Sequence, residues 1–148
     1  MQKKVLAKLS KCYSVAPLLY QGRPHFLVAA EKHDRCILFD REGREQATIW
    51  EGPGGVMSMV QVPGTDGQFL ATHEFYSPND SAKARIVLAQ PEGEEWSVRT
   101  IADLPFVHRF DILQRGGRRY LIACTLKSAH AHKDDWSSPG KVYAAELP

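Results

Sequence analysis

No long hydrophobic run, no helical period and no cysteine pair occur in this 148-residue sequence, and neither sign of charge dominates it. Each absence excludes something. Without about 20 consecutive apolar residues there is no membrane-spanning helix, so no membrane is expected as a partner. The opening Met1–Ser10 starts with a basic pair, as secretory leaders do, but Lys8 and Lys11 break the apolar segment such a leader needs. A cytoplasmic location is the expectation. Cys12, Cys36 and Cys124 are widely spaced in apolar runs with no C-x-x-C, which argues against a zinc ribbon or redox dithiol and predicts buried, reduced thiols. The net charge of +2 is spread among acids, without the basic stripe of a nucleic-acid binder, so nucleic acid is set aside as a partner. Gly52-Pro53-Gly54-Gly55 lacks the helix and the Lys-Ser/Thr of a phosphate cradle, and reads as a turn between repeats.

What is present is an ordinary globular balance, 43% hydrophobic and 24% charged, for one domain with a real core. Short apolar strands alternate with Gly, Pro and Asp turns, the pattern of an all-β protein. The strands recur as a set. Tyr13–Tyr20, Val56–Val62 and His108–Gln114 each precede a tight turn. A second strand follows each turn (FLVAA, FLATH, YLIAC), then a third (ILFD, IVLA, VYAA). A fourth is carried by Thr-Ile-Trp and Arg-Thr-Ile-Ala. Phe26 to Phe69 is 43 positions and Phe69 to Tyr120 is 51. Four strands in about 40–50 residues is the period of a β-propeller blade.

The reading is therefore three four-stranded antiparallel blades, at about 12–52, 53–105 and 106–148. The last repeat stops after its third strand. The first is preceded by an extra one, Lys4–Leu9, whose Val-Leu-Ala-Lys-Leu-Ser resembles Thr-Ile-Ala-Asp-Leu-Pro at 100–105. That segment is expected to complete a last blade as its fourth strand. Three blades do not close a ring, which takes about 4–8. The partner is then a second copy of this chain or further C-terminal blades.

The connections from second to third strand lengthen along the chain: 31–35, 74–84 and 126–140. Long loops in a compact domain are commonly functional. These gather Phe75, Tyr76 and Asn79, and then Lys127, His130, His132, Lys133, Asp134, Asp135 and Trp136, on the end that also receives His108, Arg109 and Asp111. His108, Arg109, Asp111 and His130 are the catalytic candidates. A cation pair facing a carboxylated substrate with histidine as base suits a lyase, dehydratase or epimerase. Lys127, His132, Lys133, Asp134, Asp135, Trp136, His73 and Glu74 are the ligand-binding candidates, for a small polar metabolite such as a sugar or sugar acid. Trp136 is the stacking platform, whereas Trp50 and Trp96 are expected between sheets. His130, His132 and Asp134 offer nitrogen and oxygen to a divalent metal, the one cofactor considered. The alternatives are a structural Arg109–Asp111 ion pair, a solvated loop, and a non-catalytic protein-interaction scaffold.

The runs GPGGVMSMVQVPG (52–64), FLATHEFYSPNDS (69–81), FVHRFDIL (106–113) and YLIACTLKSAHAHKDDWSSPGKVYAAELP (120–148) resemble uncharacterised bacterial β-propeller proteins of the FG-GAP/VCBS-like type. The resemblance spans nearly the whole chain and implies the N-terminal half of a longer propeller. It implies no established activity; distant propellers of this build include sugar lyases and dehydratases, a fold-level analogy. The Asp-x-Asn-x-Asp-Gly calcium loop of integrin-like repeats is absent, and Thr65-Asp66-Gly67 is at best its remnant.

Overall fold

A computed structural model describes residues 1–148. It is all-β, without helices, and its eleven strands form three antiparallel sheets. Sheet 1 is β1 (Cys12–Tyr20), β2 (Arg23–Ala30), β3 (Cys36–Asp40) and β4 (Glu45–Trp50), paired in chain order. Sheet 2 is β5 (Met59–Gln61), β6 (Phe69–His73), β7 (Arg85–Glu92) and β8 (Glu95–Asp103), again in order. Sheet 3 has three strands, β9 (Val107–Arg115), β10 (Arg118–Thr125) and β11 (Val142–Leu147).

Side-chain alternation decides how the sheets meet, because successive residues of a strand point to opposite faces. In β1, Ser14, Ala16 and Leu18 are buried while Tyr13, Val15 and Leu19 are exposed. The buried face of sheet 1 joins Phe69, Ala71, Val87 and Ala89 of sheet 2 in one core, with Trp50 within it and Trp96 against it, as expected for both tryptophans. The other face of sheet 2 supplies Leu70 and Ile86 to a second core with Phe110, Ile112, Leu121 and Ala123 of sheet 3. Sheet 2 therefore lies between the other two. A wholly buried phenylalanine such as Phe69 contributes about 1.5–3 kcal/mol through burial.

One hydrogen bond recurs in every sheet. Glu31 N–H donates to the Lys11 carbonyl, Phe75 N–H to that of Gly55, and Leu126 N–H to that of Phe106, at 2.9, 3.2 and 3.1 Å. Donor follows acceptor by twenty residues each time, and each acceptor has a positive φ (51°, 76° and 65°). This left-handed residue ahead of each first strand re-aims the chain into a new sheet. The same backbone geometry thus recurs in all three sheets.

Three expectations are corrected. Residues 4–9 form no strand and pair with none of the three sheets. Ser10 N–H instead donates to Asp34 (2.7 Å), and the Leu6 methyls lie against Gly43. Of the three thiols only Cys36 is buried, its pKa pushed up by burial; Cys12 and Cys124 are exposed. Cys124 belongs to the face of sheet 3 that no other sheet covers. Lastly, the strand expected over Val56–Val62 shrinks to Met59–Gln61, since Thr72 Oγ1 accepts from both Met57 and Ser58 N–H (2.6 and 3.1 Å) and replaces the ladder there. No helix is long and apolar enough to cross a membrane.

Candidate functional site

The three lengthening loops meet at one end of the molecule. Lys32 Nζ donates to the Tyr76 carbonyl, His33 lies on Tyr76 (4.6 Å between ring centres), and Asn79 Nδ2 donates to Asp134 Oδ1 at 2.9 Å. The turn Gly52–Gly55 is the connection between sheets that the sequence suggested. Gly55 N–H donates to the Glu31 carbonyl, and the Gly54 carbonyl accepts from Glu74 N–H, so the segment threads between two of the loops.

Lys127 organises the longest loop. Its side chain is wholly buried. Its ammonium donates to the carbonyls of Lys133 (3.0 Å) and Asp135 (3.1 Å), 4.5 Å from the centre of the Trp136 ring and 5.3 Å from that of Phe106. Two carbonyl dipoles and two aromatic faces stand in for water around the cation. Asp135 folds the same loop: it accepts from Ala131 N–H and from both the N–H and hydroxyl of Ser137. The Ser137 hydroxyl and these amides hold its carboxyl well below the usual carboxylate range. Trp136 is left 48% exposed on this fixed loop. His132 and Lys133 are exposed beside it.

Of the catalytic candidates, Arg109 and Asp111 are engaged in hydrogen bonds, whereas His108 and His130 pack against aromatic rings. Arg109 donates to the Met57 carbonyl and to Tyr13 Oη (3.4 Å), linking β9 to β1 and to the segment ahead of β5. Asp111 accepts from the N–H of its neighbour Ile112 (2.7 Å), and no Arg109–Asp111 ion pair forms. His108 lies 4.9 Å from Phe75, and burial followed by the nearby Arg109 charge lowers its pKa. His130 packs edge-on to Phe106 at 5.0 Å, with Nδ1 buried and unpartnered. Asp134 is engaged by Asn79 as described. No three His, Cys, Asp or Glu side chains converge with the geometry to hold a metal, so His130, His132 and Asp134 do not form the site they suggested. Asp66, of the calcium-loop remnant, accepts from Gly22 N–H (3.2 Å).

His73 and Glu74 lie deeper. Glu74 pairs with Arg85, and His73 is 4% exposed with its ring 4.6 Å from that of Trp50. Burial, aided by the Arg85 charge, lowers the His73 pKa from 6.5 to about 4. The folded value lies below the unfolded one, so between about pH 4 and 6.5 only the unfolded chain takes up the proton. Stability is full above that window and falls as the pH drops through it, by about 3 kcal/mol. Urea melts at pH 7 and pH 4.5 are expected to show this loss in the wild type, and a flatter profile in His73→Phe, which keeps the ring packing. Equal slopes for both proteins would remove His73 as the cause.

Tyr13 and Phe106 were not among the residues picked from the sequence. The repeat offered a signal for Tyr13, which stands two residues after Lys11 as His108 stands two after Phe106. One concavity adjoins this end, lined by Glu74, Lys83, Arg85 and Asp103, and others lie elsewhere. One is a polar hollow at the opposite end, lined by Arg23, His25, Asp40 and Arg44. Another is a partly apolar groove beside β11, between sheets 2 and 3, lined by Leu70, Leu88, Ile101, Leu121 and Leu147. Compared with protein-family models, curated proteins and solved structures, the chain matches none of them.

Proposed function

We propose that the three sheets are consecutive blades of a β-propeller of the FG-GAP/VCBS-like type, and that the chain is a non-catalytic cytoplasmic binding module. Its loop end takes a small polar ligand, of the sugar or sugar-acid class, on the open face of Trp136. The observation that carries this reading is the burial of Lys127 under the Trp136 ring. A buried cation spent on holding one loop makes a rigid platform, and rigid aromatic platforms bind without an ordering penalty. His132, Lys133 and Asp134 supply polar contacts around it. Catalysis is disfavoured because Arg109, Asp111, Lys127 and Asp135 all serve internal bonds. The free thiols agree with a reducing compartment.

Tryptophan fluorescence tests the proposal, since Trp50 and Trp96 sit in the core between sheets 1 and 2. Titration with a panel of neutral sugars and sugar acids is expected to shift the emission for one class, and Trp136→Ala to abolish the shift. A flat response across the panel would remove the sugar reading. Turnover of any member, lost on changing His108 to Ala, would restore the enzymatic one.

A further inference from the structure

The polar hollow at the turn end of the molecule is built by sheet 1 alone. Its volume is about 620 Å³, and it is lined by nine residues of β2, β3, β4 and the two turns beside them. Small-molecule sites run to about 300–1,000 Å³, so the size suits a small ligand. Apart from Pro24, every lining side chain is polar or charged, which suits a ligand that is polar throughout. Local features of the chain place these groups. The Gln21-Gly22 turn, with both residues at positive φ (52° and 65°), starts β2 with Arg23 at its rim. His25 stands directly opposite Asp40 in the pairing of β2 with β3. Asp40 then folds the turn into β4, its Oδ1 accepting from Arg44 N–H (2.9 Å) and its carbonyl from Gly43 N–H (2.9 Å). That turn brings Arg41, Glu42 and Arg44 to the same wall.

The unspent hydrogen-bonding groups of the wall identify the ligand chemistry. Both carboxylates are already used. Asp40 Oδ2 accepts from Arg44 Nε (2.7 Å) and Gln46 Nε2 (3.1 Å), and Glu42 accepts from Arg41 Nε (2.7 Å) and Arg44 Nη2 (3.4 Å). The guanidinium groups are not used up. Arg41 is engaged through Nε alone, and the Arg23 side chain takes part in no hydrogen bond or ion pair. Three arginines against two carboxylates leave a net positive wall with a surplus of donors. Planar guanidinium forks match the oxygens of a phosphate. One free acceptor stands among them. His25 Nδ1 lies 3.0 Å from the Arg23 carbonyl, which can only accept, so Nδ1 carries the hydrogen of the neutral ring and Nε2 keeps a lone pair. The Tyr20 ring, edge-on at 5.6 Å, braces the imidazole. The matching ligand offers an oxyanion to the arginines and a hydroxyl to His25.

We propose that this hollow binds a phosphate group accompanied by a hydroxyl, either hydrogen phosphate or the phosphate ester of a small polyol. The phosphate oxygens take the free donors of Arg23, Arg41 and Arg44, and the hydroxyl donates to His25 Nε2. The site shares no residue with the Trp136 platform, which lies at the other end of the molecule. Its arginines are exposed, so binding weakens as salt is added.

Amide nitrogen–proton spectra, recorded at constant ionic strength, test the site by titration with inorganic phosphate, glucose 6-phosphate, sulfate and glucose. Both phosphate compounds are expected to shift the amides of 21–25 and 40–46. Sulfate, which has no hydroxyl for His25, should bind about tenfold more weakly than inorganic phosphate, and glucose should shift nothing there. Tighter binding of glucose 6-phosphate than of inorganic phosphate assigns the ester as ligand; equal binding assigns the free ion. Arg23→Ala removes no internal bond and is expected to weaken binding about tenfold or more. Arg23→Lys should recover only part, because lysine lacks the fork. Arg115→Ala, at the turn of sheet 3, controls for general charge and should change nothing. His25→Phe keeps a ring against Tyr20 and should bring phosphate down to the level of sulfate. No shift with either phosphate compound, equal binding of sulfate by the wild type, or indifference to Arg23→Ala would overturn the site. Trp136→Ala should bind phosphate as the wild type does, so this result stands apart from that of the sugar titration.

Discussion

Gly54→Ala is expected to abolish cooperative folding, where most glycine-to-alanine changes at open positions are mild. An ideal Cβ at this position would lie 1.2 Å from the Lys32 carbonyl oxygen and 2.4 Å from its carbon. Those are backbone atoms, so no rotamer change relieves the collision. Moving the segment away does not help either. The Gly54 carbonyl accepts from Glu74 N–H at 3.0 Å, and Gly55 is bonded to Glu31 on one side and Phe75 on the other. Displacement breaks the seam joining sheets 1 and 2 at the loop end. The cost is about 4–5 kcal/mol or more, a large share of the ~5–15 kcal/mol that holds a domain of this size. Far-ultraviolet dichroism during heating checks it. The expected result is insoluble protein or a broad, low transition. Gly52→Ala, where nothing lies within 4 Å, is the matched control and should melt near the wild type. Comparable melts for the two variants would mean that the connection can shift.

Lys127→Ala is the second change with a large expected effect. It strands the carbonyls of Lys133 and Asp135 and leaves a void beneath Phe106 and Trp136. Hydrogen bonds from a charged donor are worth about 1.5–3 kcal/mol each. With the lost packing, a destabilisation of about 4 kcal/mol is expected. The local consequence is more telling than the total. Amides of 128–138 should exchange faster than in the wild type and Trp136 emission should move to the red, while the two cores stay protected. Lys127→Met keeps most of the volume without the charge, and should restore part of the stability but not the loop order. A variant that melts and exchanges like the wild type would show that the ammonium has no part in holding the loop.

Much of the fold was legible because alternation is a local property. The buried Ser14, Ala16 and Leu18 and the exposed Tyr13, Val15 and Leu19 can be read directly along β1. Turn residues marked where each sheet began, and the lengthening loops were visible as spacing. What failed depended on partners distant in the chain. An apolar run around Cys124 predicts a strand, but not that its face goes uncovered. Val5–Leu9 has the composition of a strand, but it pairs with no sheet, and composition does not say which edge a segment meets. Lys127 sits in a polar stretch and reads as surface charge; its burial is decided by two carbonyls six and eight residues later closing over it. Arg109 and Asp111 invited an ion pair by proximity in sequence, whereas on a strand residues two apart lie along one face and each found another partner.

The constant spacing of twenty between the left-handed residue and its hydrogen-bond donor separates two kinds of sequence in this chain. Inside that span lie the first two strands and their turn, whose length is pinned at both ends. Outside it lie the rest of the loops, 32–35, 76–84 and 127–141, which account for most of the difference in length between one sheet's segment and the next. The loops can therefore vary without disturbing the register of the strands, and a loop lifted from one sheet should be graftable onto another. The molecule is built as a fixed cassette carrying an exchangeable tip.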